Sequence, residues 1–383
     1  MPPLLLVLPW PAVRILLDYR PALRERTGVG EYAHQLASAL IRLLGRGDEL
    51  TLFSSSWKDR LPRDRVAGAT VVDARVPVRV LNAAWHRLGS PPIEWFAGSI
   101  DVAHSMHPLL MPTRRASRIV TVHDLDFLDH PERTRAEIRR DYASLAPSHA
   151  RRADAVIAVS RFTADAVTSR LGVPSDRVAV VPSGAPPWTA RRVQPSRGPI
   201  LFVGTLEPRK NVSTLVEAYR MLLSLVPDAP PLWLAGGGGH AAEPWLRAIE
   251  QPPLAGRVVH LGYVTDERRH ELYAEASMLV LPSHVEGFGL PVLEAMTAGV
   301  PVIVSTGGAL PEVAGDAGPA VPPEDTKGFA KAMARYLTDP AAVASAVEKG
   351  LARSRAYSWD ASARTLMHVY SEVVARRSAS APQ

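Results

Sequence analysis

The chain has 383 residues, 46% hydrophobic and 21% charged, enough apolar material for a buried core and more than a single domain usually holds. It has no cysteine, which excludes disulfides, a thiolate nucleophile and cysteine-based zinc or iron–sulfur sites. The formal net charge of +6 lies wholly in residues 1–190, with 25 Lys+Arg against 19 Asp+Glu, while residues 191–383 balance at 19 against 19.

Residues 1–11 carry a short apolar run between prolines, with no basic segment and no small-residue cleavage pattern. A signal peptide is therefore not expected. No run reaches the roughly 20 apolar residues of a membrane helix, so the protein is expected to be soluble or at most peripheral to a membrane. Residues 13–17 read as a short buried strand. Thr27-Gly28-Val29-Gly30 forms a glycine loop, after which Tyr32, Leu36, Leu40, Leu43 and Leu44 recur at helical spacing. Strands follow at 50–53, 70–72, 119–122, 155–159 and 178–181. Helical patterns cover 131–152 and 162–171. Residues 185–199 are rich in proline and arginine without periodicity, and the linker is placed at 186–199. The alternation then restarts, with strands at 200–203, 232–235, 258–261, 278–281 and 302–304. Helices are expected at 212–224, 266–276, 326–337 and 340–353, with a loop and helix over 283–298.

Strands alternating with helices predict an α/β protein with parallel sheets covered on both faces. Two doubly wound domains are expected, at 1–185 and 200–358. A last helix over 359–376 is expected to cross back to the first domain, ahead of a frayed tail at 377–383. Such folds bind ligands at the carboxyl ends of their strands, so the cleft between the domains is the natural site.

Two blocks carry the chemistry. Glu286-Gly287-Phe288-Gly289-Leu290-Pro291-Val292-Leu293-Glu294 sets two glutamates eight apart. Pro291 suits a first helical turn, which puts Glu286 just before the helix and Glu294 inside it. These carboxylates can accept hydrogen bonds from sugar hydroxyls, or they can belong to an ordinary capped helix. In Glu207-Pro208-Arg209-Lys210-Asn211, two cations precede a helix, an unfavourable place unless an anion lies between. A diphosphate would satisfy the cations and the free amides together, and a solvated basic turn is the plainer reading. Lys210 is one of only five lysines in the chain. Gly236–Gly239 read as a tight strand-to-helix turn or a nucleotide approach. His104 and His107 are open between an acceptor pocket and satisfied loop histidines, and neither is read as a metal ligand. Asp124 is a candidate to orient His123 or to cap a turn, and Glu312 and Asp325 are candidate helix caps.

In this order and spacing the blocks resemble the retaining nucleotide-sugar glycosyltransferases of family 4, which have the GT-B architecture of two Rossmann-like doubly wound domains facing a central cleft. The resemblance spans nearly the whole chain. It includes Thr27-Gly28-Val29-Gly30-Glu31-Tyr32, Thr121-Val122-His123-Asp124-Leu125, Val181-Pro182-Ser183-Gly184 (where the family usually has Pro-Asn-Gly), Gly262-Tyr263-Val264 and Gly308-Ala309-Leu310-Pro311-Glu312-Val313. It implies that Arg209 and Lys210 neutralise the donor diphosphate, that Glu294 binds the ribose, and that Glu286 with the amides of Phe288, Gly289 and Leu290 holds the hexose. It further implies that Gly28 and Gly30 admit the phosphates, that His123 contacts the donor sugar, and that Val264 lies at the base. No Asp-x-Asp motif is evident where a metal would bridge the diphosphate, so no metal and no cofactor beyond the nucleotide-diphosphate sugar are expected.

The expected activity is transfer of a hexose, mannose from GDP-mannose first, to a glycan or lipid-linked acceptor hydroxyl. A UDP-hexose donor, an inactive nucleotide-sugar-binding subunit and a sugar-nucleotide epimerase are the alternatives. Despite a sequence pI near 9.7, no nucleic-acid-binding motif is present. The basic first half, with clusters at 133–152 and at Arg114, Arg115 and Arg118, instead suggests an anionic acceptor or peripheral contact with an anionic membrane, or simply a solvated surface. A cytoplasmic location, at most peripheral at the inner face of the membrane, is expected.

Overall fold

The computed structural model describes residues 12–23, 28–131, 136–195, 197–238 and 242–380. The expectations for residues 1–11, Thr27, Arg133, Gly239 and residues 381–383 lie outside them. The chain forms two compact units, one of residues 1–183 with 359–383, the other of residues 184–358.

In the first unit, seven parallel strands run in the order β3-β2-β1-β4-β5-β6-β7. They are β1 (Arg14–Asp18), β2 (Glu49–Ser54), β3 (Thr70–Asp73), β4 (Val102–Ser105), β5 (Ser117–Val122), β6 (Ala155–Ala158) and β7 (Val178–Val180). β1 is central, with Ile15 paired to Leu50 on one side and to Val102 on the other. The strand order reverses between β1 and β4. β4 is absent from the expectations above because Val-Ala-His-Ser has too few apolar residues to show a period, although all four are buried.

Helix Gly28–Leu43 buries Tyr32, Leu36 and Leu40 at helical spacing. The last helix, Trp359–Ser380, lies against it. Trp359 meets the Tyr32 ring edge-on at 5.7 Å, Ser362 Oγ donates to Pro182 O at 2.7 Å, and the Tyr370 hydroxyl bonds His104 Nδ1 at 2.6 Å. This helix passes the expected end at Arg376 and continues to Ser380, with Arg377 3.5 Å from Asp154.

The second unit has six parallel strands in the order β10-β9-β8-β11-β12-β13. They are β8 (Ile200–Val203), β9 (Leu232–Ala235), β10 (Val258–Gly262), β11 (Met278–Leu281), β12 (Val302–Ser305) and β13 (Ala320–Val321). β8, β11 and β12 are buried along their whole length, as expected of a parallel sheet covered on both faces. Here the order reverses between β8 and β11. The stretch after residue 185 packs on this unit: Arg191 donates to the Tyr273 and Ala276 carbonyls and Gln194 Nε2 to Gly299 O.

Two buried histidines of the first unit make its stability depend on pH. Burial pulls His104 down to about 3 and His149 down to about 4. Unfolding frees both to protonate near their ordinary value, so the unfolded chain binds more protons below about pH 6.5. Stability of this unit is expected to be level above pH 6.5 and to fall as the pH drops toward 4. Urea midpoints followed across that range test this, and a midpoint constant from pH 7 to pH 4 would contradict it.

Candidate active site

In the second unit the chain leaves β8 through a single helical turn, Pro208–Lys210, and enters helix Val212–Leu225 at Asn211. Asn211 is left-handed (φ +55°), and its buried amide donates to Pro282 O at 3.1 Å and Pro323 O at 2.8 Å. The loop after β8 is thereby tied to the loop after β11, across the point where the strand order reverses.

Glu286 sits in that second loop, 5% exposed. Its Oε1 accepts from Lys210 Nζ at 2.5 Å and from Ser283 Oγ at 2.6 Å, and its Oε2 from Arg209 Nη1 at 3.1 Å. Arg209 also reaches Glu207 Oε1 at 3.0 Å and Val285 O at 3.0 Å. The sequence argument needed an anion between the cations, and in this structure that anion is Glu286. Burial alone would raise the Glu286 carboxyl, but Lys210 and Arg209 outweigh it and hold it at about 2. Three of its roughly four acceptor positions are filled, leaving room for about one further donor. Gly308 (φ +67°) is required here, because a Cβ would stand 2.2 Å from Glu286 O.

Helix Leu290–Ala298 starts at left-handed Gly289, with Pro291 in its first turn, and Glu294 lies inside it. Phe288 is buried edge-on against Tyr357 at 5.5 Å, so only its backbone can serve a ligand there. Leu290 is half-buried. Glu294 is 5% exposed, with Oε2 taking a hydrogen bond from the Tyr273 hydroxyl at 2.8 Å and Oε1 3.3 Å from Arg269 Nη2. Both partners come from helix Asp266–Glu275, and half-buried Val264 lies in the loop just before it.

In the first unit, Gly28 opens its helix, exposed, with none of the described residues within 4 Å of where a Cβ would sit. Gly30 differs: a Cβ would stand 2.6 Å from Pro21 O, so the chain's own turn requires this glycine. His123 follows β5, half-buried, with Tyr32 edge-on at 5.1 Å. Its Nε2 lies 3.2 Å from Met106 O, which can only accept, so Nε2 carries the proton. Burial pulls the ring down to about 4, keeping it neutral at pH 7.

His104 is on β4 rather than in a loop, fully buried between Tyr370 and Thr121, whose Oγ1 is 2.8 Å away, and so lines no pocket. His107 faces Asp18. Asp124 Oδ1 caps its turn by accepting from Asp126 N at 3.2 Å. Asp325 caps helix Thr326–Thr338 through Gly328 N, whereas Glu312 lies inside helix Leu310–Ala314, whose N-cap position is Ala309. In the basic cluster, Arg118 Nε is 3.6 Å from Asp154, and Arg151 donates to Leu171 O at the end of helix Arg161–Leu171. Sequence reasoning missed Asp18 and Arg20, which pair at 2.6 Å, and gave no role to Ser283, Tyr273 and Arg269. A signal existed for Ser283, three residues before Glu286, and for Arg269 with Tyr273, at helical i,i+4 spacing. Among the described residues no group of His, Asp or Glu is placed to hold a metal ion.

Two Rossmann-like parallel-sheet units, each with charged side chains at the point where its strand order reverses, are the elements of the GT-B fold. Residues 26–187 match Glycosyltransferase Family 4 and residues 197–339 match Glycosyl transferases group 1. The chain is 30% identical over 372 residues to O-antigen chain mannosyltransferase B of Escherichia coli, covering 91% of this chain and 97% of that one. Among solved structures it is similar to sucrose-phosphate synthase from Thermosynechococcus elongatus (TM-score 0.77, 22% identity, 96% of this chain and 100% of that one). It is also similar to Anabaena HepE in complex with UDP and glucose (TM-score 0.71, 16% identity, 94% and 100%). The chain belongs to family 4 of the glycosyltransferases and is a hexosyltransferase.

Removing the Glu286 charge leaves Arg209 and Lys210 against each other in a mostly dry site. Glu286→Gln is expected to destabilise the second unit by about 3 kcal/mol, the low end for a broken buried pair because both cations keep some exposure. Urea unfolding at pH 7 measures this. The loss should shrink as the pH falls from 4.5 toward 2, where wild-type Glu286 itself takes up a proton. An unchanged midpoint at pH 7 would contradict the pairing.

Proposed function

We propose that the chain transfers mannose from GDP-mannose, with retention of configuration, to a hydroxyl of a glycan or lipid-linked acceptor. The observation that carries the reading is the Arg209–Lys210–Glu286 cluster beside the start of helix Leu290–Ala298. Two cations held side by side by Glu286, with backbone amides at a helix start, offer charged and neutral N–H donors of the kind a diphosphate takes. The mannosyl donor is supported by the mannosyltransferase named above, at 30% identity over 91% of this chain. A UDP-hexose is the alternative donor.

In this reading the bond from the anomeric carbon to the diphosphate oxygen breaks, and negative charge grows on the leaving phosphate. Arg209 and Lys210 stabilise that charge. Glu286 holds them in place and offers its remaining acceptor position to the hexose. Glu294, steadied by Tyr273 and Arg269, accepts from the ribose hydroxyls. The amides of Phe288, Gly289 and Leu290 meet the donor, Val264 meets the base, and exposed Gly28 leaves room for a phosphate. His123, neutral and with its proton on Nε2, presents Nδ1 as an acceptor for a sugar hydroxyl. The acceptor oxygen bonds the anomeric carbon from the face the diphosphate leaves, and its proton passes to the leaving phosphate. With the cations supplied by side chains, transfer proceeds without a metal.

The lipid-linked acceptor is supported by the surface of the first unit. Trp57, Val80, Leu88 and Trp95 are exposed, the two tryptophans at 74% and 64%. Arg114 lies over the Trp95 ring at 5.3 Å. Exposed tryptophan with arginine suits an anionic bilayer interface. Among the described residues no helix is long and apolar enough to cross a membrane, so contact in this reading is peripheral, at the cytoplasmic face.

Lys210→Ala and Glu294→Ala are each expected to weaken GDP binding about ten- to a hundredfold, the worth of a charge-assisted hydrogen bond. Calorimetry measures this, and wild-type affinity in both variants would overturn the donor placement. Thermal shifts with GDP-mannose, UDP-glucose and ADP-glucose should be largest for GDP-mannose. A donor at about 100 times its Kd adds roughly 2.7 kcal/mol. Transfer should survive chelation, and activity lost to chelator and restored by Mg²⁺ would contradict the metal-free reading. Flotation should show binding to anionic but not neutral vesicles, weakened by Trp57→Ala with Trp95→Ala; equal, negligible flotation with both lipids would contradict membrane contact.

A further inference from the structure

The first unit carries a buried charge cluster of its own where its strand order reverses, at the ends of β1 and β4. Asp18 closes β1 and is fully buried. Its Oδ1 accepts from Arg20 N at 3.2 Å and Arg20 Nε at 2.8 Å, and its Oδ2 from Arg20 Nη2 at 2.6 Å and His107 Nε2 at 3.0 Å. Leu109 N donates to His107 Nδ1 at 3.3 Å, so the proton of His107 is on Nε2, facing Asp18.

Two arms leave this carboxylate. One runs through Arg20, whose guanidinium also bonds Asn82 Oδ1 at 2.9 Å and lies over the Trp85 ring at 5.0 Å. Arg20 opens the turn Arg20–Ala22, and Pro21 O of that turn is the atom that a side chain at residue 30 would strike. The Tyr19 hydroxyl, 2.7 Å from His34 Nδ1, ties the same turn to helix Gly28–Leu43. The other arm runs through His107, which also stacks on Tyr142. The residue before it is Met106, whose carbonyl takes the His123 Nε2 proton.

We propose that Asp18 and His107 are positioning residues for sugar transfer: through Met106 O they fix the tautomer and direction of His123, and through Arg20 they fix the turn that packs against Gly30 at the start of helix Gly28–Leu43. The inference rests on the reading above that His123 meets the donor sugar and that Gly28 leaves room for a phosphate. Nothing at Asp18 needs to touch a ligand, because its acceptor positions are taken up by Arg20 and His107. Its effect is on geometry, and a displacement of about 1 Å at a reacting group can cost a hundredfold in rate.

Asp18→Ala would strand Arg20 in the interior and threaten folding, so the test uses His107, which leaves the Asp18–Arg20 pair intact. The activity probe is release of GDP from GDP-mannose with water as acceptor. His107→Ala is expected to lower kcat about tenfold or more while Kd for GDP stays within about twofold, and His107→Gln, which can still donate to Asp18, should recover most of the loss. In a double-mutant cycle, His107→Ala should cost little once His123→Ala is present. Additive losses, or a wild-type kcat for His107→Ala where His123→Ala is impaired, would overturn the inference. A second readout needs no activity. The imidazole nitrogen resonances of His123 should report a single Nε2-protonated form in the wild type and a mixture in His107→Ala; an unchanged His123 signal would overturn the inference. If His123→Ala alone releases GDP at the wild-type rate, the functional reading of His123 fails instead, and the nitrogen resonances still decide whether His107 positions it.

Discussion

The second unit depends on one carboxylate shared by two cations. Where a parallel sheet reverses its strand order, the loops after two adjacent strands turn to opposite faces and leave a crevice that no backbone ladder fills. In this unit Glu286, from the loop after β11, fills it by taking Lys210 and Arg209 from the loop after β8. Moving any of these charges from water into such a place alone would be costly, and together they hold one another in register. Asn211, bonded to Pro282 O, ties the two loops together, and Gly308 has no side chain to push Glu286 away. The first unit meets the same constraint with different residues, joining Asp18 to Arg20 and His107 between the ends of β1 and β4.

This pairing alters how the cations are understood. Arg209 and Lys210 are not an unmet positive charge waiting for phosphate. They are already compensated, which keeps their side chains ordered before a ligand arrives. In the proposed reading, a diphosphate adds acceptors to cations that need little rearrangement, the condition under which electrostatic stabilisation is most effective. His123 follows the same logic: held neutral by burial and with Nε2–H donating to Met106 O, it is set as an acceptor and not as an acid at neutral pH.

Much of this was legible in the sequence. Apolar strands such as Ile200–Val203 and Met278–Leu281 alternate with amphipathic helices, and Pro291 placed Glu286 before a helix and Glu294 within it. What escaped was set by tertiary contact. β4 has too short and polar a sequence to show a period, and its burial comes from β1 and β5 on either side. Gly30 looked like a ligand-facing glycine, but its need comes from Pro21, nine residues earlier in the chain. Asp18 and His107 are 89 residues apart and share no local pattern, so only the parallel pairing of β1 with β4 brings them together. Glu286 as counter-ion to Lys210, across 76 residues, was hidden for the same reason.

In the proposed reading the cluster around Glu286 recognises a diphosphate rather than a single phosphate. Calorimetric affinities of GDP and GMP, measured side by side on the full chain and at two salt concentrations, test this. GDP is expected to bind at least about tenfold more tightly, since the second phosphate gains at least one charge-assisted hydrogen bond, and the difference is expected to narrow as salt rises. Equal affinity for GDP and GMP at both salt concentrations would contradict it.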